Sequence, residues 1–150
     1  MVCTFFEHRD APDSILPKLR SAIIDLIEKE DVTLFYVGHN GSFDRLVARV
    51  LSQLSDTYKF QYYIVLAAFP KTNSVQGHTI LPEGMESVYP KFAINYRNNW
   101  MITRADYVVT YVVNTIGSGA AKMKAIAYQR NKSVIEIHEV CGESTEYTRI

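Results

Sequence analysis

Five short apolar runs, rich in β-branched and aromatic residues, alternate with longer segments in which apolar residues recur every three or four positions. The runs predict strands at residues 2–6, 33–37, 61–69, 106–113 and 133–137. The third run is apolar along most of its length, which predicts a strand that is buried on both faces. The longer segments predict helices, because a period near 3.6 residues places the apolar side chains along one side.

The helical segments differ in how clearly their apolar stripe is marked. The clearest stripe consists of Phe43, Leu46, Val47, Val50, Leu51 and Leu54. The first helix is expected to begin at Asp13 or Ser14, whose side chains accept hydrogen bonds from exposed amides, and to end near Asp31. The two remaining helices are predicted over residues 91–104 and 120–131.

The segment 70–90 breaks this alternation. It carries Pro70, Gly77, Pro82, Gly84 and Pro90 without a lasting period. A long loop is therefore predicted after the third strand, and two interpretations stay open: a lid over a site, or a surface insertion.

The order of strands and helices predicts the fold class. Parallel neighbours need crossover connections, and right-handed crossovers place helices on both faces of a sheet. We therefore predict an α/β fold: one three-layer Rossmann-like domain over residues 1–150, with a mainly parallel five-stranded sheet and helices on both faces. In such sheets ligands bind outside the carboxyl ends of the strands.

The composition of the chain argues against nucleic acids and membranes as binding partners. Lysine plus arginine equals aspartate plus glutamate at 16 each among 150 residues, so no net charge attracts nucleic acid. No apolar run approaches the roughly 20 residues that span a bilayer. The two cysteines, Cys3 and Cys141, lie at opposite ends of the chain, and the start of the chain has no export signal pattern. A cytoplasmic protein is the expectation.

No metal site or cofactor site is predicted. The four histidines are scattered without a partner at ligand spacing: His8, His39, His78 and His138. The glycine-rich turns also lack the Walker pattern and the spacing of the dinucleotide fingerprint. These absences argue against motor-type ATP hydrolysis and against NAD-linked redox chemistry.

Two glycine-containing turns each join a predicted strand to a predicted helix. The first contributes Gly38, Asn40, Gly41, Ser42 and Phe43 as candidate ligand-binding residues, and the second contributes Gly117, Ser118, Gly119 and Ala120. Free amides at helix N-termini face an anion at close range where glycine leaves the approach open. The alternative is that the glycines only permit a tight bend.

Charged residues follow the first two strands. Arg9 is placed to bind a phosphate or carboxylate, with His8 and Asp10 beside it. The alternative pairs Arg9 with Asp10 or Asp44 and leaves His8 in a packing role. Asp44 itself either caps the second helix or accepts hydrogen bonds from ribose hydroxyls.

The helix before the fourth strand carries Arg97 and Trp100 at three-residue spacing, close to one face. An arginine beside an aromatic ring suits a phosphate and a stacked base. The alternative places Trp100 in the core, as in most small α/β domains.

Five short motifs together resemble the SLOG superfamily, named for the Smf/DprA and Lonely Guy proteins, and especially its small bacterial and phage members. They are Phe5-Phe6-Glu7-His8-Arg9-Asp10, Phe35-Tyr36-Val37-Gly38, Gly41-Ser42-Phe43-Asp44, Arg97-Asn98-Asn99-Trp100-Met101 and Gly117-Ser118-Gly119-Ala120-Ala121. The similarity covers residues 3 to 137. It implies a Rossmann-like fold and the recognition of nucleotides or nucleotide-derived molecules, by an enzyme or by a sensor.

Lonely Guy enzymes remove the base from nucleoside monophosphates, and the resemblance places Arg97 where those enzymes carry an arginine. Their catalytic glutamate is replaced by Met123, and Ala120 stands in place of a threonine. A thioether neither accepts a proton nor stabilises a cationic sugar, which argues against hydrolysis by that mechanism. Glu7 is a further departure, because the resemblance implies glycine there. This carboxylate would repel phosphate, accept from ribose hydroxyls, or act as a replacement acid or base.

The leading hypothesis is a homo-oligomeric protein that binds a nucleotide or an ADP-ribose-like ligand, as a sensor or a sequestering protein. Its alternative is an N-glycoside or phosphoribosyl hydrolase with Glu7 and Arg97 as candidate catalytic residues. A third hypothesis, a partner-binding protein with a vestigial pocket, also stays open.

Overall fold

The computed structural model describes residues 1–7, 11–69, 78–111, 119–138 and 148–149. Its strands are β1 (Val2–Glu7), β2 (Leu34–Val37), β3 (Gln61–Val65), β4 (Thr79–Ile80), β5 (Tyr107–Tyr111), β6 (Ser133–Glu136) and β7 (Thr148–Arg149). Its α-helices are α1 (Leu16–Lys29), α2 (Ser42–Leu54), α3 (Ala93–Arg104) and α4 (Gly119–Gln129).

One sheet holds these strands in the order β4-β3-β2-β1-β5-β6-β7. The first six strands are mutually parallel, and β7 runs antiparallel to β6. The predicted α/β, Rossmann-like, mainly parallel sheet is therefore confirmed. The sheet has two strands more than the five predicted, β4 and β7. Each of these has only two residues, too few to leave an alternating pattern in the sequence.

The third predicted strand is shorter and less buried than its sequence indicates. β3 ends at Val65 rather than at residue 69, and Gln61 at its start is exposed, while Tyr62 and Tyr63 are only partly buried. The outer neighbour β4 pairs only with Ile64 and Val65, so within the described ranges no strand pairs with the first half of β3 on that side. Two-sided burial is thus limited to the end of β3.

The first helix begins differently from the prediction. Residues Asp13–Ile15 form one 3₁₀ turn before α1, and neither this turn nor α1 has a side-chain cap. Capping by Asp13 or Ser14 is therefore wrong. Pro17 lies in the first turn of α1 and has no N–H, so this terminus has one fewer amide to satisfy. The helix ends at Lys29, two residues before Asp31, whose φ of 54° does not continue a helix.

The predicted 70–90 loop contains regular structure in its second half. Residues 70–77 lie outside the described residues, but β4 and two 3₁₀ turns, Met85–Ser87 and Pro90–Phe92, follow them and lead into α3. The Tyr96 hydroxyl donates to the Glu83 carbonyl and ties this segment to α3. Residues 78–92 are thus an additional strand and helical turns rather than one continuous loop.

Helices cover both faces of the sheet and divide the core in two. On one face α1 and α2 pack on side chains that include Phe5, Phe35 and Val109; all six residues of the predicted α2 stripe are buried there. On the other face α3 and α4 pack on Phe6 and Val108. Within the described ranges no helix combines the length and apolar character needed to cross a membrane.

Truncating the α2 stripe tests this arrangement. Leu51→Ala leaves a cavity in the first core, where Leu51 is fully buried, and we expect it to lower the free energy of unfolding by about 2–5 kcal/mol. Arg49→Ala, on the exposed side of the same helix, should change it by less than about 0.5 kcal/mol. Urea denaturation followed by circular dichroism measures both. Equal losses would show that α2 does not bury this face.

Candidate functional site

The candidate site lies at the carboxyl edge of the sheet, in the turn from β2 to α2. Because β1, β2 and β5 are parallel, their carboxyl ends share this edge. The turn leads to α2 on one face of the sheet, while Arg97 reaches it from α3 on the other face. Side chains from both helical layers therefore meet over the edge.

Gly38 gives the turn the space that this meeting requires. A Cβ at this position would lie 2.9 Å from Asp44 Oδ2 and 3.2 Å from Arg97 Cζ. Its φ is outside the left-handed region, so close packing rather than backbone conformation requires glycine. The carboxylate and the guanidinium thus both pack directly against the Gly38 backbone.

Asp44 closes the turn from the first turn of α2. Gly41 is the N-cap residue and has no side chain to cap the helix, and Asp44 Oδ2 accepts a hydrogen bond of 2.9 Å from the Asn40 N–H. Burial raises the pKa of Asp44 above its ordinary value, while the Asn40 amide and the positive charge of Arg97 oppose the rise. Asp44 therefore binds an amide of the turn that precedes the N-cap residue, and its predicted contact with ribose hydroxyls stays a prediction.

Arg97 is a buried cation, with 4% of its surface exposed. Its Nη1 donates to Asn40 Oδ1, and its Nε and Nη2 donate to Asn98 Oδ1 at 3.3 and 3.0 Å. These acceptors are neutral amide oxygens. Burial lowers the pKa of Arg97, and the charge of Asp44 opposes this effect, so the guanidinium stays protonated at neutral pH.

Glu7 lies at the other end of the same turn. Its Oε1 accepts a hydrogen bond of 3.3 Å from the Phe43 N–H in the first turn of α2. Next to it, Ser42 Oγ accepts from the Ala11 N–H at 2.9 Å and donates to the Ala11 carbonyl at 3.4 Å. The chain's own groups therefore bind the start of α2.

Trp100 points toward β2. Its ring meets Tyr36 edge to face at a centroid distance of 5.0 Å, and the Arg104 guanidinium carbon lies 4.0 Å from its centroid. The Trp100 Nε1 is buried without a hydrogen-bond acceptor. These contacts agree with the alternative in which Trp100 packs against the protein. A base that stacked on the ring face covered by Arg104 would have to displace that guanidinium.

Met123 and Glu7 lie on opposite faces of the sheet. Met123 is buried in the second core with Phe6 and Val108, whereas the alternation along β1 turns Glu7 to the face of Phe5 and α2. Glu7 therefore does not take the place that a glutamate at position 123 would occupy.

The structure brings together part of the predicted site. Gly38, Asn40, Asp44 and Arg97 converge, with Gly41, Ser42 and Phe43 continuing the turn. Asn98 joins them, a partner that the sequence analysis did not select although it adjoins Arg97. His8, Arg9, Asp10, Gly117 and Ser118 lie outside the described residues, while α4 begins at Gly119 and continues through Ala120. In the part of the chain that is described, no cluster of histidine, cysteine and acidic residues could hold a metal ion.

Comparison with known proteins adds no family to this geometry. No protein-family model matches the chain, and a search of curated protein sequences finds no significant match. The resemblance to the SLOG superfamily therefore stays a prediction.

The space at Gly38 can be tested by filling it. Gly38→Ala should lower the free energy of unfolding by about 1–3 kcal/mol, because the new methyl group overlaps Asp44 and crowds Arg97. In an Asp44→Ala background the nearest contact is gone, so the same substitution should cost less. Urea unfolding of the wild type, the two single variants and the double variant gives the loss of stability caused by Gly38→Ala in each background. Equal losses would exclude the overlap with Asp44 as the cause.

The raised pKa of Asp44 predicts a pH dependence. The folded state binds this proton more tightly than the unfolded chain, so the stabilisation is complete below the ordinary value of 3.8 and is lost as pH rises through the raised pKa. Asp44→Asn removes this titration. We expect the stability of the variant relative to the wild type to increase with pH across that window in urea denaturation. A relative stability that decreases would show that folding favours the carboxylate.

Proposed function

We propose that this protein binds a nucleotide or a nucleotide-derived, ADP-ribose-like molecule at the carboxyl edge of its sheet, as a homo-oligomeric sensor or sequestering protein. The observation that carries the proposal is the buried guanidinium of Arg97, which packs against Gly38 and donates to the neutral amide oxygens of Asn40 and Asn98. The SLOG-like motifs support a nucleotide as the source of the anion.

The charge balance around Arg97 favours an anionic ligand. Removing a guanidinium from water costs free energy that amide oxygens offset only in part, because they carry no net charge. Asp44 supplies one opposing negative charge, but its own pKa is raised by burial. A phosphate beside Arg97 would add charge-assisted hydrogen bonds.

The guanidinium also has donors to offer. It carries five N–H groups, and the hydrogen bonds to Asn40 and Asn98 use three of them. The two further N–H groups are available to donate to phosphate oxygens.

We propose binding rather than base hydrolysis. Met123 is a buried core residue, and the Glu7 carboxylate accepts from the Phe43 N–H on the opposite face of the sheet. Neither residue supplies an acid or base at the position where Lonely Guy enzymes carry their glutamate.

Calorimetric titration with AMP, a cyclic dinucleotide and ADP-ribose tests the proposal. Wild-type protein should bind at least one of them, and Arg97→Gln should weaken that binding at least about tenfold through the loss of the charge and the fork. Arg49→Gln is the matched control, because it makes the same change in charge at an exposed position near the middle of α2. It should bind as the wild type does.

Arg97→Lys separates charge from shape, since it keeps the cation and loses the fork; we expect intermediate affinity. Thermal denaturation identifies a variant that is unfolded. No binding by the wild type at millimolar ligand, or equal affinities of wild type and Arg97→Gln, would overturn the proposal.

A further inference from the structure

The N-terminus of α2 favours a negatively charged group, and the Glu7 carboxylate of the same chain lies there. A helix N-terminus carries about half a positive charge, and its first amides have no acceptor within the helix. The Glu7 carboxylate meets this charge and accepts from the Phe43 N–H at 3.3 Å. It comes from β1, 36 residues away in the sequence.

Two neighbouring donors already have acceptors. The Arg45 N–H donates to the Gly41 carbonyl at 3.3 Å, and the Ser42 hydroxyl donates to the Ala11 carbonyl. A phosphate that entered here would have to displace Glu7 from Phe43 or lie against its negative charge. A phosphate in contact with the Glu7 carboxylate would be repelled strongly, because two negative charges close together in a partly buried site are poorly screened by water.

The two ends of the turn differ in the groups that they present. Arg97 and Asn40 lie at its beginning, beside Gly38, together with the Asp44 carboxylate that accepts from the Asn40 N–H. Glu7 lies at its end, beside Phe43. A cation at one end attracts phosphate, whereas a carboxylate at the other accepts hydrogen bonds from hydroxyl groups.

We propose that Glu7 is a specificity-determining residue that excludes phosphate from the N-terminus of α2. A second part of the inference rests on the proposed function: the ligand's phosphate lies toward Arg97, and its sugar hydroxyls lie toward Glu7.

Titration with inorganic phosphate tests the exclusion without any nucleotide. The amide shift of Phe43 in ¹H–¹⁵N NMR spectra reports binding at this terminus, because its N–H is the one that donates to Glu7. In the wild type we expect no saturable shift of this amide up to tens of millimolar phosphate. Glu7→Ala should show a saturable shift of it, with affinity at least about tenfold higher.

Two further variants make this test specific. Glu7→Gln removes the charge but keeps an acceptor for the Phe43 N–H, so a smaller gain in phosphate affinity is expected, and it replaces Glu7→Ala if that variant does not fold. Asp56→Ala makes the same change in net charge just beyond the other end of α2, where Asp56 is exposed, and should behave as the wild type.

Saturable phosphate shifts at Phe43 in the wild type, or none in Glu7→Ala and Glu7→Gln, would overturn the exclusion. The orientation has its own test: AMP should bind the wild type several-fold more tightly than 2′,3′-dideoxyadenosine monophosphate does, and Glu7→Ala should reduce this difference. Equal affinities for the wild type would overturn the orientation. Absence of all nucleotide binding would instead contradict the proposed function, while the phosphate titration would still decide the role of Glu7.

Discussion

The candidate site depends on one contact across the edge of the sheet: the Arg97 side chain of α3 lies against the backbone of Gly38 and donates to Asn40. α3 packs on one face of the sheet, and the turn after β2 leads to the other. Only a residue without a side chain admits the guanidinium and the Asp44 carboxylate at this distance. The close approach at Gly38 is therefore the condition on which the other polar contacts rest.

Each charged group of the turn has its own hydrogen-bond partner, although Arg97 and Asp44 both lie against Gly38 and interact electrostatically. Arg97 is surrounded by amide oxygens, Asp44 binds the Asn40 N–H, and Glu7 binds the Phe43 N–H. Each carboxylate thus accepts from a backbone amide, one in the turn and one in the first turn of α2. The same contacts leave two N–H groups of Arg97 without a partner among the described residues, and this asymmetry is the basis of the ligand orientation proposed above.

The alternation of side chains along β1 has a chemical consequence. Neighbouring residues Phe6 and Glu7 face opposite sides of the sheet, so one joins the core around Met123 and the other reaches α2. A shift of one residue in the register of β1 would exchange the faces on which Phe6 and Glu7 lie. Glu7 is consequently an acceptor for the start of α2 and not a substitute for a missing catalytic carboxylate.

The sequence by itself determined the α/β class, the positions of most helices and the five longer strands, because apolar periodicity is a local signal that reflects which face of each element is buried. It also indicated Gly38 and Asp44, since residues that follow parallel strands share an edge, and Arg97, from its spacing to Trp100 on one helix and from the resemblance to the SLOG superfamily. Tertiary structure alone decided the pairing of the two-residue strands β4 and β7, the end of β3, and the partners of Arg97 and Glu7. Asn40 and Arg97 are 57 residues apart, and contacts at such separation depend on how helices pack across a sheet, which no local pattern records.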